Sequence, residues 1–198
     1  MELSPLARER LARIEALSPE ESEKMSWSGE LESILSLHFK GDLNSEDLWK
    51  ELKALKEQRG EAVVAEAQSK LANTLRLQMN QEDFKQRRSA ILALETVKAE
   101  GKYTALEPIL NSIAALRQQY KQQKEQVYEQ IKAAVQGQLQ AMAQEASKQG
   151  VNLDMESSLE ANIKESPQWK SFISRHDKAS EEAFTGYVAR LKEITQAN

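Results

Sequence analysis

Two histidines, thirty-one carboxylates and no cysteine are the residues with which this chain of 198 amino acids could do chemistry. Without cysteine there are no disulfides, no thiolate nucleophile and no sulfur-ligated metal. A di-iron helical bundle needs Glu-x-x-His pairs on facing helices. Three residues before His38 stands Leu35, and three before His176 stands Ile173, so that spacing is missing. The glycines stand singly, which removes the phosphate-binding loop and the dinucleotide fingerprint, and there is no G-x-S-x-G elbow or zincin helix. No catalytic residue, cofactor site or metal site is assigned from these patterns.

His176-Asp177 is the dipeptide that HD phosphohydrolases use for metal binding, together with an earlier His and a later Asp. His38 would serve as the first, but no Asp follows Asp177, so the set is incomplete. The alternative places His176 at the edge of an apolar helix stripe with Asp177 in solvent. Glu20/Glu21, Glu82/Asp83 and Glu181/Glu182 are consecutive, point about 100° apart on a helix and do not converge on one site. They read as helix-dipole partners or solvated charge. Lys85-Gln86-Arg87-Arg88 is the densest basic cluster, with Glu82 and Asp83 one turn away and no aromatic interleaved. Nucleic-acid binding through it is a third-ranked reading, and a solvated face the favoured one. Trp27, Trp49 and Trp169 each begin an apolar stripe and read as core anchors.

The elements that would position these residues are helices. Ala, Leu, Gln, Glu and Lys dominate, with seven Gly, four Pro and 6 % aromatics, and no alternating run suggests a strand. The net charge is −4, with nine positive and thirteen negative side chains in residues 1–60 and near balance afterwards, so no segment carries a concentrated basic field. No apolar run of about 18 residues exists to span a membrane, and the N-terminus lacks signal-peptide character. A cytoplasmic location is the default expectation.

Ser4-Pro5 starts one helix and Ser18-Pro19-Glu20-Glu21, a capping box, starts the next, which ends at Gly41. Asn44 opens another that ends or pauses at Gly60. From Glu61 an apolar register runs through Val63, Ala67, Leu71, Leu75 and Met79, with a kink or short break near Asn80, and on to Gly101. Thr104 and Glu107 then have capping-box spacing while Pro108 fits a first helical position, leaving the start open by about four residues, and the helix from Pro108 to Gln149 is glutamine-rich and about 63 Å long. A short helix around Leu159 and a last helix from Pro167 follow.

The fold expected is therefore all-α: an elongated antiparallel helical hairpin of long, coiled-coil-like helices over 61–150. Shorter N-terminal helices fill 1–60, and a C-terminal segment, 151–198, packs alongside. If the last helix starts at the hairpin's base, about 20 Å of hairpin near Gly101 lacks its cover. Ile91, Leu92, Leu94, Val97, Leu106, Ile109, Leu110 and Ile113 form the candidate interaction patch there. It would be bare for a protein partner or a second copy, or covered by the helix around Leu31 to Phe39. The function expected is non-enzymatic, that of an interaction or scaffold protein, a self-associating adaptor or a chaperone-like binder of partner helices. An enzyme or small-ligand receptor with an interhelical site lacking a local motif is the second class.

Overall fold

A computed structural model describes residues 18–148 and 155–196, so the expected helix after Ser4-Pro5 and the start of the short helix near Asn152 lie outside the described residues. All regular structure among the described residues is helical. In chain order the helices are α1 (Pro19–Lys40), α2 (Ser45–Arg59), α3 (Ala62–Asn73), α4 (Gln81–Glu95), α5 (Tyr103–Lys148), α6 (Met155–Glu165) and α7 (Pro167–Gln196). None of the described helices is long and apolar enough to cross a membrane.

The chain divides into two compact units. Among the described residues, the first draws on 18–75, 79–107 and 192–196, the second on 76–78, 108–148 and 155–191.

In the first unit, α2 packs on α1, α3 and α4, and α3 packs on α1 and α4. Local chemistry sets where each helix begins. The Ser18 hydroxyl accepts from the Glu21 amide and the Glu21 carboxylate accepts from the Ser18 amide, with Pro19 at the first helical position. Asn44 caps α2 through the Glu46 and Asp47 amides, and Asn80 caps α4 through the Asp83 amide. Gly41 ends α1 and Gly60 ends α2, both at φ 85°, a conformation that a side chain disfavours. Trp27, Leu31, Leu35, Leu48, Leu52, Leu71 and Phe84 are buried and form much of the core. The central helix is α3: Val63, Val64, Ala67, Gln68, Ser69, Leu71 and Ala72 are all buried, so more than one stripe is covered. Its small side chains let neighbouring helices come close.

Here the structure departs from the expected hairpin. The kink or short break expected near Asn80 is a non-helical stretch at 74–80, and the two helices on either side of it, α3 and α4, pack against each other instead of continuing as one long arm. Leu75 and Leu77 are each 2 % exposed while Arg76 and Gln78 are exposed. Residues two apart lie about 200° apart on a helix, so burying both requires the chain to leave helical geometry.

The second unit is built on α5 from residue 108, with α6 and most of α7. The helix starts at Tyr103, upstream of the expected first position at Pro108, which falls in its second turn. The proline's missing N–H deprives only the Thr104 carbonyl, and Thr104 is exposed to water. Glutamines 118, 119, 122, 123, 126, 130, 136, 138 and 140 are all exposed. Ser166 caps α7 by accepting from the Trp169 amide.

Candidate functional site

Three places gather polar side chains in a way that helix surfaces alone do not explain. The first is a groove between α1 and α3. One face of α1 supplies Glu32, Leu35, Ser36, Phe39 and Lys40; α3 and the residue after it supply Lys70, Asn73 and Thr74. It encloses about 530 Å³. Leu35 and Phe39 give it apolar area. Lys70 Nζ reaches Glu32 Oε1 across it at 2.8 Å, an exposed pair that a ligand could exchange. Hydrogen bonding to Lys70, then its charge, holds the Glu32 carboxyl below its ordinary value. Beside the groove, Arg87 lies over the Phe39 ring, 5.4 Å from its centroid, and its Nε donates to Thr74 Oγ1 at 3.0 Å. Lys40 and Arg87 thus add positive charge to Lys70, against Glu32 alone on the lining and Asp83 behind Arg87.

The second place is a buried network around Glu95, 1 % exposed. Its carboxylate accepts from Gln68 Nε2 at 2.7 Å and from the Lys102 amide at 2.7 Å, with Lys98 Nζ at 3.6 Å. Gln68 also donates to the Ile91 carbonyl, and its own Oε1 is buried with no partner. Lys98 Nζ donates onward to the Thr195 carbonyl at 2.7 Å, and Gln196 Nε2 donates to Ser69 Oγ at 3.3 Å. Burial pushes the Lys98 ammonium below its ordinary value, while Glu95 acts the other way. On the outside of the same turn, Glu61 accepts from the Ala99 amide at 2.6 Å and from Lys56 at 3.2 Å. The Ala99 bond first and Lys56 second hold the Glu61 carboxyl low. Two carboxylates thus wrap residues 95–102, and the end of α7 is tied to the same turn.

The third place, in the second unit, is a ladder of rings. Tyr128 meets Trp169 edge-on at 5.5 Å, and Trp169 leads to Phe172 at 5.9 Å. His176 is stacked between Phe172, at 4.8 Å, and Tyr120, at 4.9 Å. The Tyr120 hydroxyl donates to Asp177 Oδ1 at 2.8 Å and accepts from Lys124 at 3.1 Å. Burial is the main cause that raises the Tyr120 phenol, with Asp177 helping and Lys124 opposing. Among the described residues no group of three metal-ligating side chains forms here or elsewhere.

The eight patch residues, expected to be either bare or covered within the chain, are mostly covered. Ile91, Leu94, Leu106, Leu110 and Ile113 are fully buried, Val97 and Ile109 nearly so, and Leu92 is half-buried. The turn near Gly101 is also not left uncovered by α7, because Thr195 bonds to Lys98 there. Asp177 is held by Tyr120 instead of facing solvent freely, and His38 is fully buried within the first unit. In the basic cluster, Lys85 pairs with Glu82, while Arg87 is held by Thr74, the Asp83 carbonyl and Phe39. Trp27 is core, while Trp49 and Trp169 are half-buried; Trp49 donates to Thr96 Oγ1 at 2.9 Å.

Sequence reasoning missed the Glu95 network and the buried role of His38, although a signal was present. Gln68 follows Val64 by four and precedes Leu71 by three; Glu95 follows Ile91 by four; His38 follows Leu31 and Leu35 by seven and three. Each is a polar residue at a stripe position, where burial is expected and partners must follow.

Residues 49–196 match DUF6657, described as a family of unknown function. The α3 side of the groove lies within that match and the α1 side precedes it. No curated protein and no solved structure matches the chain.

Proposed function

The chain belongs to that family of unknown function, and we propose that it is a non-enzymatic interaction protein that docks an acidic, amphipathic helix of a partner protein between α1 and α3. The observation that carries this reading is the shape and charge of the groove. Its α1 wall follows positions 32, 35, 36, 39 and 40, a two-turn ridge about 12 Å long. The α3 wall follows 70, 73 and 74. Two helices side by side leave a furrow that takes the ridge of a third. The half-buried Phe39 offers the apolar contact, and Lys40, Lys70 and Arg87 call for carboxylates on the incoming helix. The side chains with chemical potential elsewhere, Glu95, Lys98, Tyr120 and Asp177, are engaged with one another, which supports a structural role for them.

The test is a photo-crosslinking amino acid at Ser36, which lines the groove, in the full chain in its host cell. The expected product is a cross-link to an acidic segment with helical apolar spacing. The double reversal Lys40→Glu and Lys70→Glu should lower its yield about tenfold, the scale of one to two exposed charge contacts. Cross-links to basic or non-helical segments, or a yield unchanged by the reversal, would overturn the reading.

A further inference from the structure

His38 stands in the last turn of α1, next to the groove residue Phe39, with the two ring centroids 6.2 Å apart. It is 0 % exposed. Its Nδ1 lies 2.8 Å from the Leu43 carbonyl, which can only accept, so Nδ1 carries the hydrogen and Nε2 the lone pair. Nε2 is buried with no hydrogen-bond partner. The residue's own carbonyl accepts from the Gly41 amide at 3.1 Å and from Gln86 Nε2 of α4 at 2.9 Å. One histidine therefore joins α1, the corner at 41–44 and α4.

The charged groups around it give a proton no help. From α4 comes the Arg87 guanidinium, a positive charge that opposes a second one. Of the carboxylates nearby, Asp83 belongs to Arg87, Glu46 and Asp47 to Lys50, and Glu32 on α1 to Lys70 of α3. Asp42 and Lys40, on either side of Gly41, are exposed. Burial first holds the imidazole below its ordinary value; the Leu43 bond works against this and Arg87 adds to it.

We propose that His38 is a proton-operated latch on the groove: a proton at Nε2 has no acceptor in the closed structure, so taking one releases the last turn of α1 and the 41–44 corner. The wall made by Phe39 and Lys40 is released with them. That this matters for docking rests on the function proposed above; the latch itself does not. The sign follows from linkage. The open form binds the proton at the ordinary histidine value of about 6.5, and the closed form binds it only at lower pH. Closure is therefore complete above that value and weakens by up to about tenfold per unit below it.

Hydrogen exchange of the intact protein reads this directly, at the Gly41 and Asp42 amides, which bond to the His38 and Leu37 carbonyls. After correction for intrinsic rates, their protection should fall as pH drops from 7.5 to 5.0, by at most about 30-fold. Leu116, on α5, should change little over the same range. His38→Gln, whose amide can still donate to Leu43, should lose the dependence. Should that variant fold poorly, nitrogen NMR of wild-type His38 decides, with the ring expected to titrate below the ordinary histidine value while the corner is closed. Constant protection in the wild type, an equal fall in His38→Gln, or a ring that titrates near 6.5 in the closed form would each overturn the latch. The Ser36 cross-link should weaken, without vanishing, at pH 5.5 relative to pH 7.5 in wild type and stay unchanged in His38→Gln. The expected fall in protection with no cross-link at either pH would leave the latch standing and remove the docking reading alone.

Discussion

At the scale of single residues, Glu95 carries the most weight per atom. A carboxylate this deeply buried is tolerable because three donors converge on it: Gln68, the Lys102 amide and Lys98. Truncation to alanine would strand all three and leave the Lys98 ammonium, whose side chain is 9 % exposed, without its counter-charge. We expect Glu95→Ala to cost about 3–5 kcal/mol in urea unfolding, the range for breaking a buried pair from one side. Glu95→Gln, which keeps an acceptor but not the charge, should cost less. By contrast Glu46→Ala, in an exposed pair with Lys50, should cost under about 1 kcal/mol. An equal small cost for Glu95→Ala and Glu46→Ala would show that the network is not buried in solution. Glu61 adds a pH signature. Its folded-state carboxyl is depressed by the Ala99 bond, so its contribution is present above the ordinary glutamate value and is lost as pH falls through the depressed one. Glu61→Gln should remove that acid-limb dependence from the 96–99 turn, read by exchange at the Ala99 amide.

At the scale of elements, the sequence was most legible where structure is most local. Ser18 with Glu21, Gly41, Asn44, Asn80 and Ser166 all mark helix ends through bonds made within three or four residues. Such signals need no knowledge of the fold. Asn80→Ala should accordingly cost about 1 kcal/mol, measured by thermal unfolding, because the Asp83 amide loses its acceptor. Less legible were features decided by packing. The alternation Leu75-Arg76-Leu77-Gln78 was hidden inside a run whose other apolar residues kept helical spacing, so α3 and α4 read as one arm. Pro108 read as a start because a proline fits a first turn best, yet one lost bond to an exposed carbonyl was a small enough penalty for the helix to begin at Tyr103. The end of α7 is another such feature, since Lys98 and Ser69 lie far from it in sequence. Removing residues 192–198 takes away the Thr195 carbonyl and the Gln196 amide together. The truncated chain should keep its helix content by circular dichroism but exchange the Ala99 and Lys102 amides at least about tenfold faster. Unchanged exchange would mean that the two bonds contribute under about 1.4 kcal/mol to closure of the turn.

At the scale of the whole molecule, the question is where an apolar surface is available for association. Reading lengths along the chain suggested the region around Gly101. How α3 packs on α4 and where α7 ends depend on contacts between residues far apart in sequence, which chain lengths do not reveal. With Leu94 and Ile113 at 0 % exposure, a charge at either position has to be buried or the surrounding helices have to part. Leu94→Asp should therefore lower stability by about 4 kcal/mol or more, a large share of the 5–15 kcal/mol a domain of this size holds, and helix content should fall with it. Met142→Asp is the matched control, since Met142 is 61 % exposed and should tolerate the charge within about 0.5 kcal/mol. Sedimentation and circular dichroism on the same samples separate the two accounts. If Leu94→Asp keeps full helix content and a wild-type oligomer becomes a monomer, the residues around Gly101 are an interface after all. Loss of structure at Leu94 with tolerance at Met142 identifies them as core, which leaves the α1–α3 groove as the surface where a partner helix would bring its apolar face.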